Sequence, residues 1–175
     1  MSSLAKRNYR SELRQLNWDF SGESGSDGFA GYHWYPARFV PQVPGILIGY
    51  FTAPNESVLD PFCGSGTTLV EAARAGRRSF GIDTNPVAIL MTSAKLVPYD
   101  DKAYSDYVEG ILSETRRWLA RFNQQGNEAH LHLIPNAVEN TGWYEKDTLR
   151  ELAALWLALE ADESQYSVVG KAAFS

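Results

Sequence analysis

Two aspartates and the glycine-rich segment that follows the first of them are the residues of this sequence best suited to binding a ligand. Asp60 stands directly before Pro61–Gly66 (PFCGSG), and Asp83 follows further along the chain. Glycines permit a tight turn close to a ligand, and a helix that starts at such a turn offers free backbone N–H groups. Carboxylates accept hydrogen bonds from hydroxyl and ammonium groups. These residues predict a site for a small molecule with polar or anionic groups.

The local sequence predicts the elements that position these residues. The segment Glu56–Lys95 is expected to form a strand, a glycine loop, a helix, a second strand, an acidic turn and a second helix. The strands are expected at Ser57–Leu59 and Ser79–Ile82, and the first helix from Thr67 to about Ala75. Each strand ends in one of the two aspartates. Asn85-Pro86 is typical of a helix start, with an N-cap followed by proline at the first helical position. This order predicts half of a nucleotide-type binding fold.

Two ligand classes fit the loop poorly. A phosphate-binding P-loop needs Gly-Lys-Ser/Thr, but Gly66 is followed by Thr67 and Thr68 without a lysine. The dinucleotide fingerprint G-x-G-x-x-G is satisfied at Gly64 and Gly66, whereas its third position is Leu69. The acidic residue directly before the loop would also lie beside a negatively charged pyrophosphate. We therefore disfavour both classes.

S-adenosylmethionine fits the residue types better, because its methionine end carries an ammonium group and the molecule has no phosphate. Asp60, at the end of the first expected strand, suits the ammonium group. Asp83, at the end of the second, can accept hydrogen bonds from both ribose hydroxyls. An alternative stays open in which the two aspartates only cap turns and helices.

Composition limits the class of protein. The chain has 175 residues, enough for one domain, with 44% hydrophobic and 21% charged residues. It contains no apolar run long enough to span a membrane, and its N-terminus lacks the apolar core of a secretory signal. The single cysteine, Cys63, agrees with a reducing compartment. We therefore expect a cytoplasmic protein.

The net charge of −5 argues against a nucleic-acid-binding surface over the whole molecule but leaves room for a local one. Basic residues cluster in three places, and such a cluster is more often a solvated helix face than a binding surface. The clusters are Lys6, Arg7, Arg10 and Arg14; Arg74, Arg77 and Arg78; and Arg116, Arg117 and Arg121.

Helical periodicity predicts most of the remaining structure. Apolar residues recur at helical spacing in residues 43–51, 104–122 and 149–159, and we expect these stripes to face a core. Residues 1–20 are compatible with a short helix, and 21–28 (SGESGSDG) have the composition of a flexible loop. Residues 123–128 are expected to end the helix formed by 104–122. Residues 130–134 are expected to be a strand or irregular. Residues 166–175 carry no capping or terminating signal.

Three motifs lie close together: HWYPARF at His33–Phe39, DPFCGSGTT at Asp60–Thr68 and GIDTNPVA at Gly81–Ala88. The second resembles the S-adenosylmethionine-binding motif of the amino-group DNA methyltransferases, the family that makes N4-methylcytosine or N6-methyladenine. The third is similar to that family's G-x-D/E-x-N-P-x-A continuation. The first resembles an H-x-Y-P-A-K/R-F segment that helps to wall the cofactor pocket. The resemblance is sharp over residues 33–95 and diffuse beyond them.

The resemblance implies an α/β, Rossmann-like S-adenosylmethionine methyltransferase fold that is incomplete in this chain and is followed by a mostly helical C-terminal segment. It implies an N-terminal arm and flexible loop (1–28), an S-adenosylmethionine-binding half-domain (29–100), and a helical segment (101–175) similar to an insertion that precedes the catalytic half. The cofactor-binding residues that it implies are His33, Tyr35, Pro36, Phe39, Asp60, Pro61, Phe62, Cys63, Gly64, Ser65, Gly66, Thr67, Thr68, Asp83, Thr84 and Asn85.

The family transfers the methyl group at a (D/S/N)-P-P-(Y/W/F) motif, where the target base is flipped out of the duplex. This sequence contains no Pro-Pro pair, and Ile134-Pro135-Asn136 is the nearest approach to one. We therefore expect no catalytic residue in this chain. We interpret it as a truncated or split DNA methyltransferase whose contacts to DNA come from a missing part, or from a complementary chain that carries the motif.

Two alternatives stay open. Some RNA guanine-N2 methyltransferases carry a similar D-P-x-C-G-S-G-T loop but usually continue with Ile-Leu-x-Glu-Ala, whereas Thr68–Glu71 (TLVE) favours the DNA branch. The other alternative is a cofactor-binding remnant without catalysis of its own.

Cys63 and two histidines are weaker candidates for chemistry. Enzymes that methylate carbon 5 of cytosine use a cysteine that follows a proline in a separate loop. Cys63 instead follows Phe62 inside the glycine turn, which favours a packed thiol. His130 and His132 alternate along the chain without a third ligand nearby, so we expect no metal there.

Overall fold

The computed structural model describes residues 9–20, 40–125, 133 and 141–175. The chain divides into two compact units, residues 1–96 and residues 97–175. The loop expected at 21–28, the HWYPARF motif at 33–39, and His130, His132 and Ile134–Asn136 lie outside the described residues. Over the described ranges, no helix combines the length and the apolar character needed to cross a membrane.

The first unit is built on two parallel strands, β1 (Ser57–Asp60) and β2 (Arg78–Gly81), joined through helix α3 (Thr67–Arg74). The register pairs Leu59 with Phe80 and Asp60 with Gly81. Because the strands run in the same direction, their carboxyl ends lie side by side. The residues that follow each strand therefore meet at one edge of the sheet.

Three further helices belong to this unit. A short helix α1 (Tyr9–Gln15) precedes α2 (Gln42–Phe51), and the ring of Tyr9 lies 5.4 Å from that of Phe51. Helix α4 (Pro86–Leu96) follows β2. Helix α3 contacts both strands, and α2 and α4 both pack against α3. Helix α3 is therefore the centre of the unit.

The core of the first unit lies on one side of the strand pair. Its buried residues include Leu69 and Ala72 of α3, Met91 of α4, Ile48 of α2, and Cys63. Leu69 and Ala72 are three residues apart, so they share one face of α3. This face is covered by the strands and the neighbouring helices, which accounts for the position of α3 across the sheet.

The opposite face of the strand pair is apolar and exposed. Leu59 is 62% exposed, and Phe80 and Ile82 are each 58% exposed. Leu59 and Phe80 are paired across the strands, and residues two apart along an extended chain point to the same side. Parallel sheets are normally covered on both faces. This face therefore resembles the inner surface of a larger sheet.

The second unit is helical in its described residues. It contains α5 (Asp101–Gln125), a short 3-10 helix (Thr141–Trp143), α6 (Lys146–Glu160) and α7 (Ser167–Phe174). Helix α5 packs along α6, and α6 packs against α7. Two apolar clusters join α5 to α6, one around Ile111 and one around Phe122.

The expected strands and helices of residues 42–96 are confirmed, with ends that shift by one or two residues. Two expectations in the second unit are wrong. Helix α5 continues through Asn123–Gln125, where a break was predicted, because Phe122 is buried against α6 and Arg150 donates to the side chain of Asn123 at 3.1 Å. Val108 and Leu112 of the apolar stripe are exposed instead of facing the core.

Helix α7 forms although its residues carry no capping signal. The N–H groups of Val169 and Gly170 donate to the carbonyl of Tyr166, which starts the helix without a side-chain cap. The ring of Phe174 lies 5.2 Å from that of Trp156 on α6. Packing against α6 therefore stabilises α7 where local capping does not.

Candidate functional site

The glycine loop between β1 and α3 crosses the carboxyl ends of both strands. The N–H of Cys63 donates to the carbonyl of Ile82 at 3.0 Å, which ties the loop to the end of β2. The N–H of Gly66 donates to the carbonyl of Cys63 at 2.8 Å, which closes the turn. The loop is therefore held by backbone bonds before any side chain is considered.

Gly66 is required at the end of this turn for two reasons. Its φ of 84° lies in the left-handed region, which residues with a Cβ adopt at a cost. A Cβ at this position would also lie 2.6 Å from Oγ1 of Thr92 on α4. The absence of a side chain lets the loop approach α4 closely.

Asp83 links the end of β2 to the loop. Its Oδ2 accepts the N–H of Gly64 at 2.8 Å, and its Oδ1 accepts the N–H of Asn85 at 2.9 Å. The N–H groups of Asn85 and Gly64 lower the pKa of the Asp83 carboxyl below its usual value by stabilising the carboxylate. Asp83 is therefore a fixed, ionised acceptor at the sheet edge at neutral pH.

Asp60 makes a local turn of the same kind. Its Oδ1 accepts the N–H of Phe62 at 3.1 Å. Both aspartates therefore accept a local turn-closing N–H. A carboxylate offers about four acceptor positions, however, so these bonds leave capacity for a ligand. Asp60 is the last residue of β1 and Asp83 comes two residues after the end of β2, so both lie at the ends of adjacent strands, as predicted.

Helix α4 holds the loop from its other side. Oγ1 of Thr92, which is buried, donates to the carbonyl of Gly64 at 2.8 Å. Nζ of Lys95 donates to the carbonyl of Ser65 at 2.7 Å. Sequence reasoning assigned these two residues no role. The available signal was their spacing, because residues three apart on an otherwise apolar helix share one face.

The start of α4 agrees with prediction. Oδ1 of Asn85 accepts the N–H of Val87 at 3.0 Å, and the helix begins at Pro86. Asn85 is therefore the N-cap, with proline at the first position, where a missing N–H costs little. The cap fixes the direction in which α4 leaves the sheet edge, and so places Thr92 and Lys95 at the loop.

Cys63 is a packed thiol, as predicted. It is buried, and burial raises the pKa of the thiol, with a smaller lowering from its hydrogen bond to Thr92. A thiol held in its neutral form is a poor nucleophile at neutral pH. Its neighbour Phe62, in contrast, is 87% exposed to solvent.

The predicted site residues from 60 to 68 and from 83 to 85 are thus brought together at the carboxyl ends of β1 and β2. His33, Tyr35, Pro36 and Phe39 lie outside the described residues. The donor and acceptor set that is present fits S-adenosylmethionine. Two carboxylates suit an ammonium group and a ribose diol, and the start of α3 offers backbone N–H groups to a ligand carboxylate.

Comparison with protein families agrees with this geometry. The family model described as DNA methylase matches residues 2–94, a little over half of the chain. The chain belongs to the DNA methylase family. A second family model, described as RMKL-like, methyltransferase domain, matches residues 51–160. The two matches overlap across the whole glycine loop and both strands of the first unit.

This chain has curated relatives that are named as methyltransferases and methylases. It is 27% identical over 160 residues to Type II methyltransferase M.MjaII of Methanocaldococcus jannaschii, covering 87% of this chain and 29% of that protein. It is 28% identical over 124 residues to Type II methyltransferase M.MvaI of Kocuria varians, covering 69% and 27%. It is 22% identical over 162 residues to the Type I restriction enzyme MjaVII methylase subunit of M. jannaschii, covering 80% and 26%.

The chain therefore spans less than a third of the length of each of these relatives. No solved structure matches it significantly.

Proposed function

We propose that the glycine loop binds S-adenosylmethionine and that this chain is the cofactor-binding part of a DNA methyltransferase. The reaction is methyl transfer to an exocyclic amino group, N4 of cytosine or N6 of adenine. The observation that carries the proposal is the pair Asp60 and Asp83 at adjacent strand ends around the loop, with Asp83 bonded to Gly64 at 2.8 Å.

Each part of the site has a role in this proposal. Asp83 accepts hydrogen bonds from the ribose hydroxyls, and Asp60 attracts the ammonium group of the methionine end. The N–H groups at the start of α3 receive the methionine carboxylate. When bound, S-adenosylmethionine supplies an activated methyl group. The protein's contribution in this chain is to bind and orient that cofactor.

The proposal extends to the domain organisation. Residues 1–28 form an N-terminal arm and loop, 29–100 a Rossmann-like S-adenosylmethionine-binding half-domain, and 101–175 a helical segment similar to an insertion. Residues of the HWYPARF motif, namely His33, Tyr35, Pro36 and Phe39, complete the wall of the cofactor pocket. The parallel strands with α3 between them support the Rossmann-like assignment.

A complementary polypeptide would supply the catalytic motif and the contacts to DNA. Two observations support this part of the proposal. The sequence has no Pro-Pro pair, and the exposed face formed by Leu59, Phe80 and Ile82 is suited to packing against further α/β structure. Reading the coding DNA downstream of Ser175 tests it. A Ser/Asp-Pro-Pro-Tyr motif in another reading frame or in an adjacent gene would support the complementary polypeptide, whereas the motif downstream in the same reading frame would contradict it.

An RNA guanine-N2 methyltransferase is the second candidate, and it is supported by the similarity of the DPFCGSGT loop to the loop of those enzymes. A non-catalytic remnant is the third. Transfer of a tritiated methyl group to unmethylated DNA and to tRNA, measured with the complementary polypeptide present, separates the DNA candidate from the RNA candidate. Transfer to tRNA alone would replace the DNA assignment. Transfer to DNA by the 175-residue chain alone would exclude the remnant and the need for a partner.

Calorimetric titration with S-adenosylmethionine tests cofactor binding directly. We expect Asp83→Ala to raise the Kd about tenfold or more, because a charged acceptor is lost. Asp106→Ala, an exposed aspartate on α5, is the matched control and should leave the Kd unchanged. Unaltered affinity in Asp83→Ala, or no binding by the natural sequence, would overturn the proposal.

A further inference from the structure

The structure assigns Thr92 and Lys95 as positioning residues of the glycine loop: Thr92 sets the direction of the Ser65 N–H, which is available to the cofactor, and Lys95 sets that of the Gly66 N–H, which closes the turn. This inference rests on the proposed function. Neither residue belongs to the loop, and they are separated by 28 and 30 residues from the carbonyls that they bind. Both act through the loop backbone rather than on a ligand.

The peptide bond explains how a carbonyl contact orients an N–H group. A trans peptide is planar, so its C=O and the following N–H point in opposite directions. Thr92 fixes the carbonyl of Gly64 at 2.8 Å toward α4, and the N–H of Ser65 is therefore directed away from α4. Lys95 fixes the carbonyl of Ser65 in the same manner at 2.7 Å. The N–H of the following residue, Gly66, then closes on Cys63.

The loop is consequently held from both sides. On one side, Asp83 accepts the N–H of Gly64. On the other, Thr92 donates to the carbonyl of the same residue. A residue held at both its N–H and its C=O has little rotational freedom. Cofactor affinity then depends on α4, because a loop that is free to rotate would lose entropy on binding.

The buried state of Thr92 makes its contact strong and specific. Thr92 is 5% exposed, so its hydroxyl has little access to water if the bond to Gly64 is broken. Its Oγ1 and Cγ2 also lie within 2.7 Å of the position that a Cβ on residue 66 would occupy. The same side chain therefore sets both the orientation of the loop and its distance from α4.

Two substitutions remove these bonds with little change of volume, Thr92→Val and Lys95→Met. We expect each to raise the Kd for S-adenosylmethionine roughly tenfold in calorimetric titration of the full chain. Thr92→Ser and Lys95→Arg keep a donor and should restore the Kd to within about threefold. Lys102→Met, an exposed lysine on α5, is the control for loss of charge.

Amide hydrogen exchange gives a readout that needs no ligand. In Thr92→Val and Lys95→Met, exchange at Gly64 and Gly66 should accelerate about tenfold relative to Ile82, whose N–H donates to Asp60 within the sheet. Equal acceleration at all three amides would mean loss of overall stability only and would overturn the inference. Unchanged exchange rates at Gly64 and Gly66 would also overturn it. If the natural sequence fails to bind S-adenosylmethionine while loop exchange responds as expected, the proposed function fails and the positioning role stands.

Discussion

The N–H of Gly64 donates to Oδ2 of Asp83 at 2.8 Å, a bond that joins the loop after β1 to the turn after β2 across 19 residues. The same carboxylate therefore stabilises both the turn after the second strand and the conformation of the loop. Substitution of Asp83 should therefore affect loop geometry as well as any direct contact with a ligand.

The stability of the chain in acid should depend on Asp83. Because Asn85 and Gly64 lower the pKa of its carboxyl in the folded chain, the stabilising contribution is complete above the ordinary pKa that this carboxyl has in the unfolded chain. It is lost as the pH falls through the lower folded value. Urea unfolding from about pH 6 to about pH 3 should show a steeper loss of stability in the natural sequence than in Asp83→Asn. Parallel curves would contradict this role.

Gly66 and Gly76 form a matched pair for measuring the cost of close packing at the loop. Both have positive φ, 84° and 69°, but a Cβ on residue 76 would meet nothing within 4 Å. Gly76→Ala should cost only the conformational strain, about 1–2 kcal/mol. Gly66→Ala adds the clash with Thr92, about 1–3 kcal/mol more. Denaturant unfolding of the two variants gives the difference, and equal losses would show that α4 yields to the added methyl group.

Arg77 should be important for stability, although the sequence places it in a basic cluster. Its Nε donates to Oγ1 of Thr52 at 3.0 Å and its Nη2 to the carbonyl of Thr52 at 2.8 Å, which anchors the end of α2. Arg77→Ala should lower the free energy of unfolding by about 1–3 kcal/mol. Arg74→Ala removes a pairing with Glu71 in which the Arg74 side chain is 52% exposed, and should cost less than about 1 kcal/mol. Equal changes in the free energy of unfolding for the two variants would mean that Arg77, like Arg74, is only part of a solvated surface.

Cys63 should react slowly with iodoacetamide in the folded chain. Burial raises the pKa of its thiol and limits access, so little thiolate is available at about pH 8. We expect alkylation about tenfold or more slower than that of glutathione under the same conditions, and recovery of the normal rate in urea. Rapid alkylation without denaturant would show that the loop opens readily and is not held as the hydrogen bonds indicate.

Much of the first unit can be predicted from the sequence because its signals are local. Short apolar runs that end in Asp60 and Asp83, the glycines between them and the Asn85-Pro86 cap specify β1, α3, β2 and the start of α4. The same signals place the two aspartates at one sheet edge. The structure pairs Asp60 with Gly81 across the two strands.

Contacts between distant residues could not be predicted in this way. The bonds from Thr92 and Lys95 to the loop depend on where α4 lies after folding, which periodicity does not specify. Helix α7 depends on packing against α6, and the end of α5 on Arg150 and Phe122. In each case a tertiary contact decides the local structure where propensity is weak.

The hydrogen bonds that join the loop to Ile82, Asp83 and Thr92 have a consequence for the kinetics of ligand binding. A loop that is already in its binding geometry needs no conformational step before or after encounter. The observed rate of association should then rise linearly with ligand concentration and show no plateau. In a stopped-flow experiment a single exponential phase is expected, with differences among loop variants appearing mainly in the rate of dissociation.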